Sequence, residues 1–348
     1  MKALFLLKRR EDYSQDESYS GSYQIATGMW NSSNFVTDAL NDQGISSAIE
    51  MVIDANSIDA ACMLHDPEFV FIEGLWVVPA KFVELMGLAR HAHRTFVVRV
   101  HSEIPFLATE GIAMEWIGQY LKSGVYVAPN APRAHDQLKA FASLLAVDES
   151  MVPYLPNCFP VDFRHYASSE LNTDSKPQID IACFGAHRPL KNHLQQALVA
   201  MRFAESLDKP LRFHVNNRKD QGGQSTFKNL QGMFSHLPTS KCELVIHGWE
   251  DRETFLSSIQ DIDLLMQDSL SETFNIVAAD ATWVGRPVLG NSEIPWLYPL
   301  FSDPTDQTTS IKVLTQIWHN KSFFITQNRA KLKSYADTSI RTWVRYLS

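Results

Sequence analysis

Ser271-Glu272-Thr273-Phe274-Asn275-Ile276-Val277-Ala278-Ala279-Asp280 is the stretch on which the reading of this 348-residue chain turns. A carboxylate stands where the pattern predicts a helix over 274–284 to open, and the positive end of a helix favours negative charge. Asp280 follows about two turns later, near the same face at 3.6 residues per turn. Two acceptors looking into one groove suit a neutral polyol, because ionised carboxylates take strong hydrogen bonds from hydroxyls. The same spacing also fits a surface helix with a charged first turn and an exposed Asp.

Outward from that stretch, short apolar runs alternate with helical patterns. Upstream lie a strand over 178–184, a helix over 191–206, strands over 211–216 and 242–247, a helix over 251–259 and a strand over 262–266; a strand over 287–289 follows. The first half repeats the theme, with strands near 2–8, 46–53, 69–73, 95–101 and 124–128 and helices near 30–43 and 79–92. Tyr154-Leu155-Pro156-Asn157 reads as a last edge before a turn-rich stretch. Such alternation predicts parallel sheets covered by helices.

A polar segment at 165–177 reads as a linker, so the expected organisation is a first α/β domain over 1–165 and a second over 178–324. The tail, 325–348, reads as a helix with Trp343 and Tyr346 as apolar anchors. Ligands of open α/β sheets sit at the carboxyl ends of the strands, so function is sought in the loops after them.

Composition narrows the classes. With 45% hydrophobic and 20% charged residues the chain is globular, and no window reaches the length of a membrane span. Cys62, Cys158, Cys183 and Cys242 lie far apart, without zinc or disulfide spacing, which fits a reducing cytoplasm. Residues 1–165 carry 12 Lys+Arg against 20 Asp+Glu, whereas the remainder carries 19 against 19. An acidic first half offers no broad footprint for DNA or an anionic membrane, and a neutral second half with placed cations suits a ligand that brings its own phosphates.

One such place is Phe184-Gly185-Ala186-His187-Arg188-Pro189-Leu190-Lys191-Asn192-His193, which reads as a strand end, a glycine turn, two cations and a helix start. Backbone donors at a helix N-terminus, joined by Arg188 and Lys191, make a pyrophosphate cradle. A surface loop with two solvated cations would look the same.

Taken in order, these segments and Gly285-Arg286-Pro287-Val288 resemble the second domain of retaining GT-B glycosyltransferases, the family 4-like group that includes bacterial mannosyl- and glucosyltransferases. Ser271, Glu272 and Phe274 match the family's S-E-x-F-G stretch, and Asp280 stands where a second glutamate is usual. The resemblance implies two Rossmann-like domains facing each other across a cleft, with the acceptor on the side of residues 1–165 and the C-terminal helix, 325–348, crossing back to the first domain. It makes Gly185, Arg188, Lys191, Glu272, Thr273, Phe274, Asn275 and Asp280 a nucleotide-sugar site: Arg188 and Lys191 for the diphosphate, Glu272 for sugar hydroxyls, Asp280 for the ribose. Asn275 departs from the usual glycine, Asp280 is one methylene short, and Asn291-Ser292-Glu293-Ile294-Pro295 lacks the paired glycines of the sugar-facing loop.

In the first half, the loop Ser20-Gly21-Ser22-Tyr23 leads to Gly28, which falls where the family's second loop glycine lies; a turn glycine would read alike. His101, after the strand Thr95–Val100, stands where the family's histidine points toward the reacting sugar, and it serves equally as a structural histidine. His65, His91, His93, His135 and His214 lie on presumed helices or loops without metal spacing, and Asp261-Ile262-Asp263 reads as a cap and turn, so no metal is expected. The runs Ala128-Pro129-Asn130 and Leu155-Pro156-Asn157 also resemble glycosyltransferases encoded by bacteriophages.

The activity thus implied is metal-independent transfer, with retention, from a nucleoside diphosphate sugar of the UDP or GDP type to an acceptor hydroxyl. That nucleotide sugar is a co-substrate, and no separate cofactor is expected. No family-like nucleophile is evident, so the donor phosphate would take the acceptor proton. A saccharide is the expected acceptor, and a hydroxymethylated pyrimidine in phage DNA is the alternative. Rivals of other classes are a sugar-nucleotide epimerase, with His101 and Glu103 as its acid/base pair, and a non-catalytic nucleotide-sugar-binding protein.

Overall fold

A computed structural model describes residues 2–9, 27–162, 176–218 and 222–348. The segment Ser20–Tyr23 and most of the expected linker at 165–177 lie outside the described residues. The chain forms two compact units, Met1–Pro160 with Ala336–Ser348, and Val161–Tyr335.

The first unit is built on strands β1 (Ala3–Lys8), β2 (Ser47–Val52), β3 (Phe69–Glu73), β4 (Thr95–Val100) and β5 (Tyr126–Pro129), in the order β2-β1-β3-β4-β5. All its pairings are parallel. Helices α1 (Thr27–Asp42), α2 (Ser57–His65), α3 (Pro79–Met86), α4 (Ile104–Leu107), α5 (Ala113–Lys122) and α6 (Pro132–Leu144) connect them. A parallel strand is covered on both faces, so it reads as an unbroken apolar run. Ala3-Leu4-Phe5-Leu6-Leu7 is such a run, and all five residues are buried. Each large side chain so buried contributes roughly 1.5–3 kcal/mol.

The second unit holds β6 (Ile179–Ala182), β7 (Leu211–Asn216), β8 (Cys242–His247), β9 (Leu264–Gln267) and β10 (Val288–Gly290), in the order β10-β9-β6-β7-β8, again all parallel. Its helices are α7 (His193–Ser206), α8 (Gly223–Ser235), α9 (Arg252–Gln260), α10 (Ile276–Trp283) and α11 (Gln307–His319). The sequence order reverses between β6 and β9, which makes that point the topological switch where doubly wound sheets take ligands.

A last helix, α12 (Lys321–Leu347), starts in the second unit and ends in the first, and the change falls at Ala336, later than residue 325. Trp343 is fully buried against Phe5 and Phe71, with ring centroids 5.7 and 5.2 Å away, and its Nε1 donates to the Pro156 carbonyl at 2.7 Å. Large aromatic rings dominate docking of this kind.

Several boundaries differ from expectation for local reasons. The helix expected over 79–92 stops at Met86 because Gly87 ends it, and a separate 3-10 turn follows at Ala89–His91. The helix expected over 30–43 begins at Thr27, so Gly28 sits in its first turn rather than in the loop before it. His214 lies within β7 and not on a helix or loop. Residues 153–162 form no strand, although Leu155 N bonds to Pro129 O at 3.1 Å beside β5.

Candidate functional site

At the switch point of the second sheet, the loops after β6 and β9 are tied together. Gly185 leaves β6 with φ +118°, a conformation open to glycine but not to L side chains, and its N–H donates to Asn216 Oδ1 at 2.9 Å. His187 is buried and bonds to Asn216 O at 2.7 Å. Arg188 then caps a 3-10 turn, Pro189–Lys191, whose proline presets the first position. Asn192 takes the left-handed conformation at φ 58° and opens α7, so the helix expected over 191–206 begins only at His193. Asn192 Nδ2 bonds to Asp268 O at 3.3 Å and Pro304 O at 2.8 Å. From α7, Gln196 donates to Lys191 O at 2.7 Å and accepts from Asp268 N at 2.9 Å.

These ties bring Lys191 to Glu272. Lys191 Nζ donates to Glu272 Oε1, and Asn275 Nδ2 bonds to the same oxygen and to Gln267 Oε1, each at 2.9 Å. Glu272 does not open a helix, contrary to expectation. Asn275 is the N-cap, accepting from Ala278 N at 2.9 Å, and α10 starts at Ile276. This accounts for Asn275 in place of glycine. At φ 62° asparagine tolerates the backbone that glycine would supply, and its side chain adds a cap and a contact to Glu272 that glycine cannot make.

Thr273 is half-buried beside Glu272, whereas the Phe274 side chain belongs to the core. Its ring packs near Trp296 and Tyr335, and its carbonyl accepts from Trp296 Nε1 at 2.8 Å. Asp280 is buried on α10, and its Oδ1 accepts from Arg252 Nη2 at 2.6 Å. Burial pushes the Asp280 carboxyl up to about 6, against the pull of Arg252. Arg252 also lies 4.7 Å over the Trp283 ring.

The sequence reading missed the support beneath this site. Asp268 is buried, which raises its carboxyl above the ordinary range. It accepts from Asn291 Nδ2 at 2.7 Å and Ser310 Oγ at 3.1 Å. Asn291 in turn accepts from Glu293 N at 3.0 Å, and Glu293 Oε2 lies 3.4 Å from Glu272 N. The loop without paired glycines is thus anchored by side chains.

In the first unit, Gly28 is exposed in α1, and a Cβ there would meet nothing within 4 Å. His101 follows β4 directly, and its Nε2 lies 2.5 Å from Oε2 of the fully buried Glu73 at the end of β3. Arg99 Nη1 donates to Glu73 Oε1 at 2.8 Å. Burial opposes the Glu73 charge, but Arg99 and His101 outweigh it and hold the carboxyl down to about 2. Glu103 accepts instead from Arg133 Nε at 3.1 Å. Among the described residues, no three His, Cys, Asp or Glu side chains are gathered to hold a metal, and no helix is long and apolar enough to cross a membrane.

No family model and no curated protein matches the sequence. Solved structures do match the fold. The sucrose-phosphate synthase of Thermosynechococcus elongatus superposes with a TM-score of 0.70 at 10% identity, over 99% of this chain and 98% of that one. Anabaena Alr3699/HepE in complex with UDP gives 0.64 at 12%, over 100% and 99%. A UDP-forming α,α-trehalose-phosphate synthase from Burkholderia xenovorans gives 0.66 at 10%, over 84% and 76%. At these identities the likeness is one of fold, and the fold is the GT-B type: two Rossmann-like domains of five parallel strands each.

Proposed function

We propose that the chain is a glycosyltransferase that moves a sugar from a nucleoside diphosphate donor to an acceptor hydroxyl, with retention and without a metal. The observation that carries this reading is the meeting of Lys191 and Glu272 at the switch point of the second sheet. A cation for the diphosphate and an acceptor for sugar hydroxyls are the two groups a nucleotide sugar requires, and a same-fold structure holds UDP and glucose.

Lys191 and Arg188 carry positive charge, and the N-terminus of α7 adds aligned peptide dipoles. Together they stabilise the diphosphate as its charge grows on departure, the largest kind of contribution a preorganised site makes. Without donor, Lys191 neutralises Glu272. With donor, Lys191 turns to the phosphates and Glu272 accepts from the sugar. The leaving phosphate oxygen takes the acceptor proton on the face of departure, which gives retention, and a saccharide supplies that hydroxyl.

Calorimetric titration with UDP and GDP, with and without EDTA, tests the donor half of this reading. One nucleotide binds, and EDTA leaves its affinity within about twofold, because Arg, Lys and the helix supply the positive charge. Loss of binding in EDTA that manganese or magnesium restores would overturn the metal-free assignment.

A further inference from the structure

Asp180 on β6, His214 on β7 and His247 on β8 share one face of the second sheet and form a run of hydrogen bonds that ends at its carboxyl edge. Asp180 is buried, and burial pushes its carboxyl up, but His214, Lys176 and Arg212 outweigh this and hold it below the ordinary range. Its Oδ1 lies 2.9 Å from His214 Nε2. A carboxylate only accepts, so that nitrogen carries a proton. Lys176 and Arg212 also meet Asp180, at 3.7 and 3.3 Å, so its charge is balanced without a second proton on His214. A neutral His214 then has a bare Nδ1, which faces His247 Nε2 at 2.9 Å. The proton of that bond belongs to His247, whose own Nδ1 is bare in turn. Burial and the neighbouring His214 hold the His247 imidazole below its ordinary range, which keeps it neutral.

Among the described residues nothing pairs with His247 Nδ1. The ring is half-buried and stands edge-on to Phe184, with centroids 5.3 Å apart. Asn216 ties this end of the run to the loop after β6: its Oδ1 accepts from Gly185 N at 2.9 Å, and its Nδ2 donates to Gly248 O at 3.3 Å. Lys191 follows β6 and Glu272 follows β9. A donor with its diphosphate at the first and its sugar at the second runs its nucleoside the opposite way, over the ends of β7 and β8. Neighbouring strands lie about 4.8 Å apart, so β8 is about 10 Å from β6, within the reach of a nucleoside.

Resting on the glycosyltransferase reading, we infer that His247 selects the donor's base, with Asp180 and His214 as positioning residues that fix His247 Nδ1 as an acceptor for a ring N–H. Uracil N3 and guanine N1 carry such a proton. Cytosine N3 and adenine N1 are bare and would meet the imidazole lone pair to lone pair. A site built around one hydrogen bond rejects the ligand that leaves its polar group unpaired.

The test is calorimetric titration of the full chain with UDP, CDP and 3-methyl-UDP, and with GDP, ADP and 1-methyl-GDP, which change the base and leave the ribose and phosphates alone. UDP or GDP binds, and methylating its ring nitrogen, or exchanging UDP for CDP or GDP for ADP, costs at least about tenfold in affinity. His247→Ala weakens the unmethylated nucleotide by a similar factor and the methylated one by less than about twofold, which separates a lost hydrogen bond from a steric clash. His214→Leu, which frees the His247 ring, narrows the UDP-to-CDP or GDP-to-ADP ratio to under about threefold; equal weakening of both nucleotides would make His214 structural only and overturn its role. Nitrogen-detected NMR on the parent labelled with 15N-histidine needs no variant, because the coupling across the His214–His247 bond assigns the pair. Both rings show a protonated Nε2 and a bare Nδ1 at neutral pH, and a proton on His247 Nδ1 sinks the inference. Nucleotide binding without discrimination between these bases sinks it alone. If the parent binds none of these nucleotides, the glycosyltransferase reading falls and the inference with it.

Discussion

Lys191 and Glu272, 81 residues apart in the chain, form an ion pair that joins the turn before α7 to the loop after β9. Asn192 and Gln196 carry one loop to Asp268, and Asn275 steadies the Glu272 carboxylate from the other side.

Glu272→Ala and Arg188→Ala are each expected to lower transfer at least about tenfold with the fold intact, as loss of one charge-assisted contact to a donor requires. Steady-state kinetics with circular dichroism as a folding control checks this. Two folded variants that turn over like the parent would put the donor elsewhere.

Asp280→Asn is expected to show a pH-dependent gain in stability. An unfolded Asp ionises near about 3.9, while Asp280 in the fold is pushed up to about 6. Between those values the native state holds a proton that the unfolded chain has lost, so native stability falls as pH rises through that window. Asparagine has no such proton to lose. Its stability relative to the parent should therefore rise from about pH 4 to about pH 6 by on the order of 2 kcal/mol, read from urea unfolding at stepped pH. A flat or opposite trend would contradict the burial of an ionised Asp280.

Trp343→Ala should cost about 3–5 kcal/mol, because it empties a fully buried site between Phe5 and Phe71 and removes the partner of the Pro156 carbonyl. It also uncovers the Arg99 guanidinium, 5.0 Å from the indole ring. A loss under about 1 kcal/mol in denaturant titration would mean that the end of α12 is not needed by the first unit.

Gly223→Ala tests the backing of the phosphate-side loop. A Cβ at Gly223 would lie 1.9 Å from His187 O, a distance only backbone movement relieves. Overpacking of this kind costs roughly 1–3 kcal/mol or more. The movement falls on the residue before Arg188, so nucleotide affinity should weaken along with thermal stability. A variant as stable as the parent would place α8 farther from that loop.

How far this architecture was legible in the sequence depended on the range of the cause. Leu4–Leu7 and Leu264–Met266 announce buried parallel strands because burial on both faces leaves an apolar run that needs no partner to be recognised. Gly185 and the Arg188–Lys191 pair were readable because a strand end, a turn glycine and cations lie adjacent in sequence. The start of α10 was not, since the pattern shows apolar periodicity but not that Asn275 takes the capping conformation and leaves Glu272 in the turn before it. Arg252 lies 28 residues before Asp280, and Glu73 lies 28 before His101. The first pair joins two helices and the second two neighbouring strand ends, and a linear pattern carries no sign of either. Glu73 read as the end of a strand, and His101 as a histidine with two possible roles.

The most direct test incubates the chain with radiolabelled UDP- and GDP-sugars and measures release of free sugar or its transfer to added saccharides, beside Glu272→Ala. The expected result is slow turnover of at least one donor, diminished at least about tenfold in the variant. No turnover of any donor, or turnover that Glu272→Ala leaves unchanged, would contradict the assignment of a sugar-transfer site to the loops after β6 and β9.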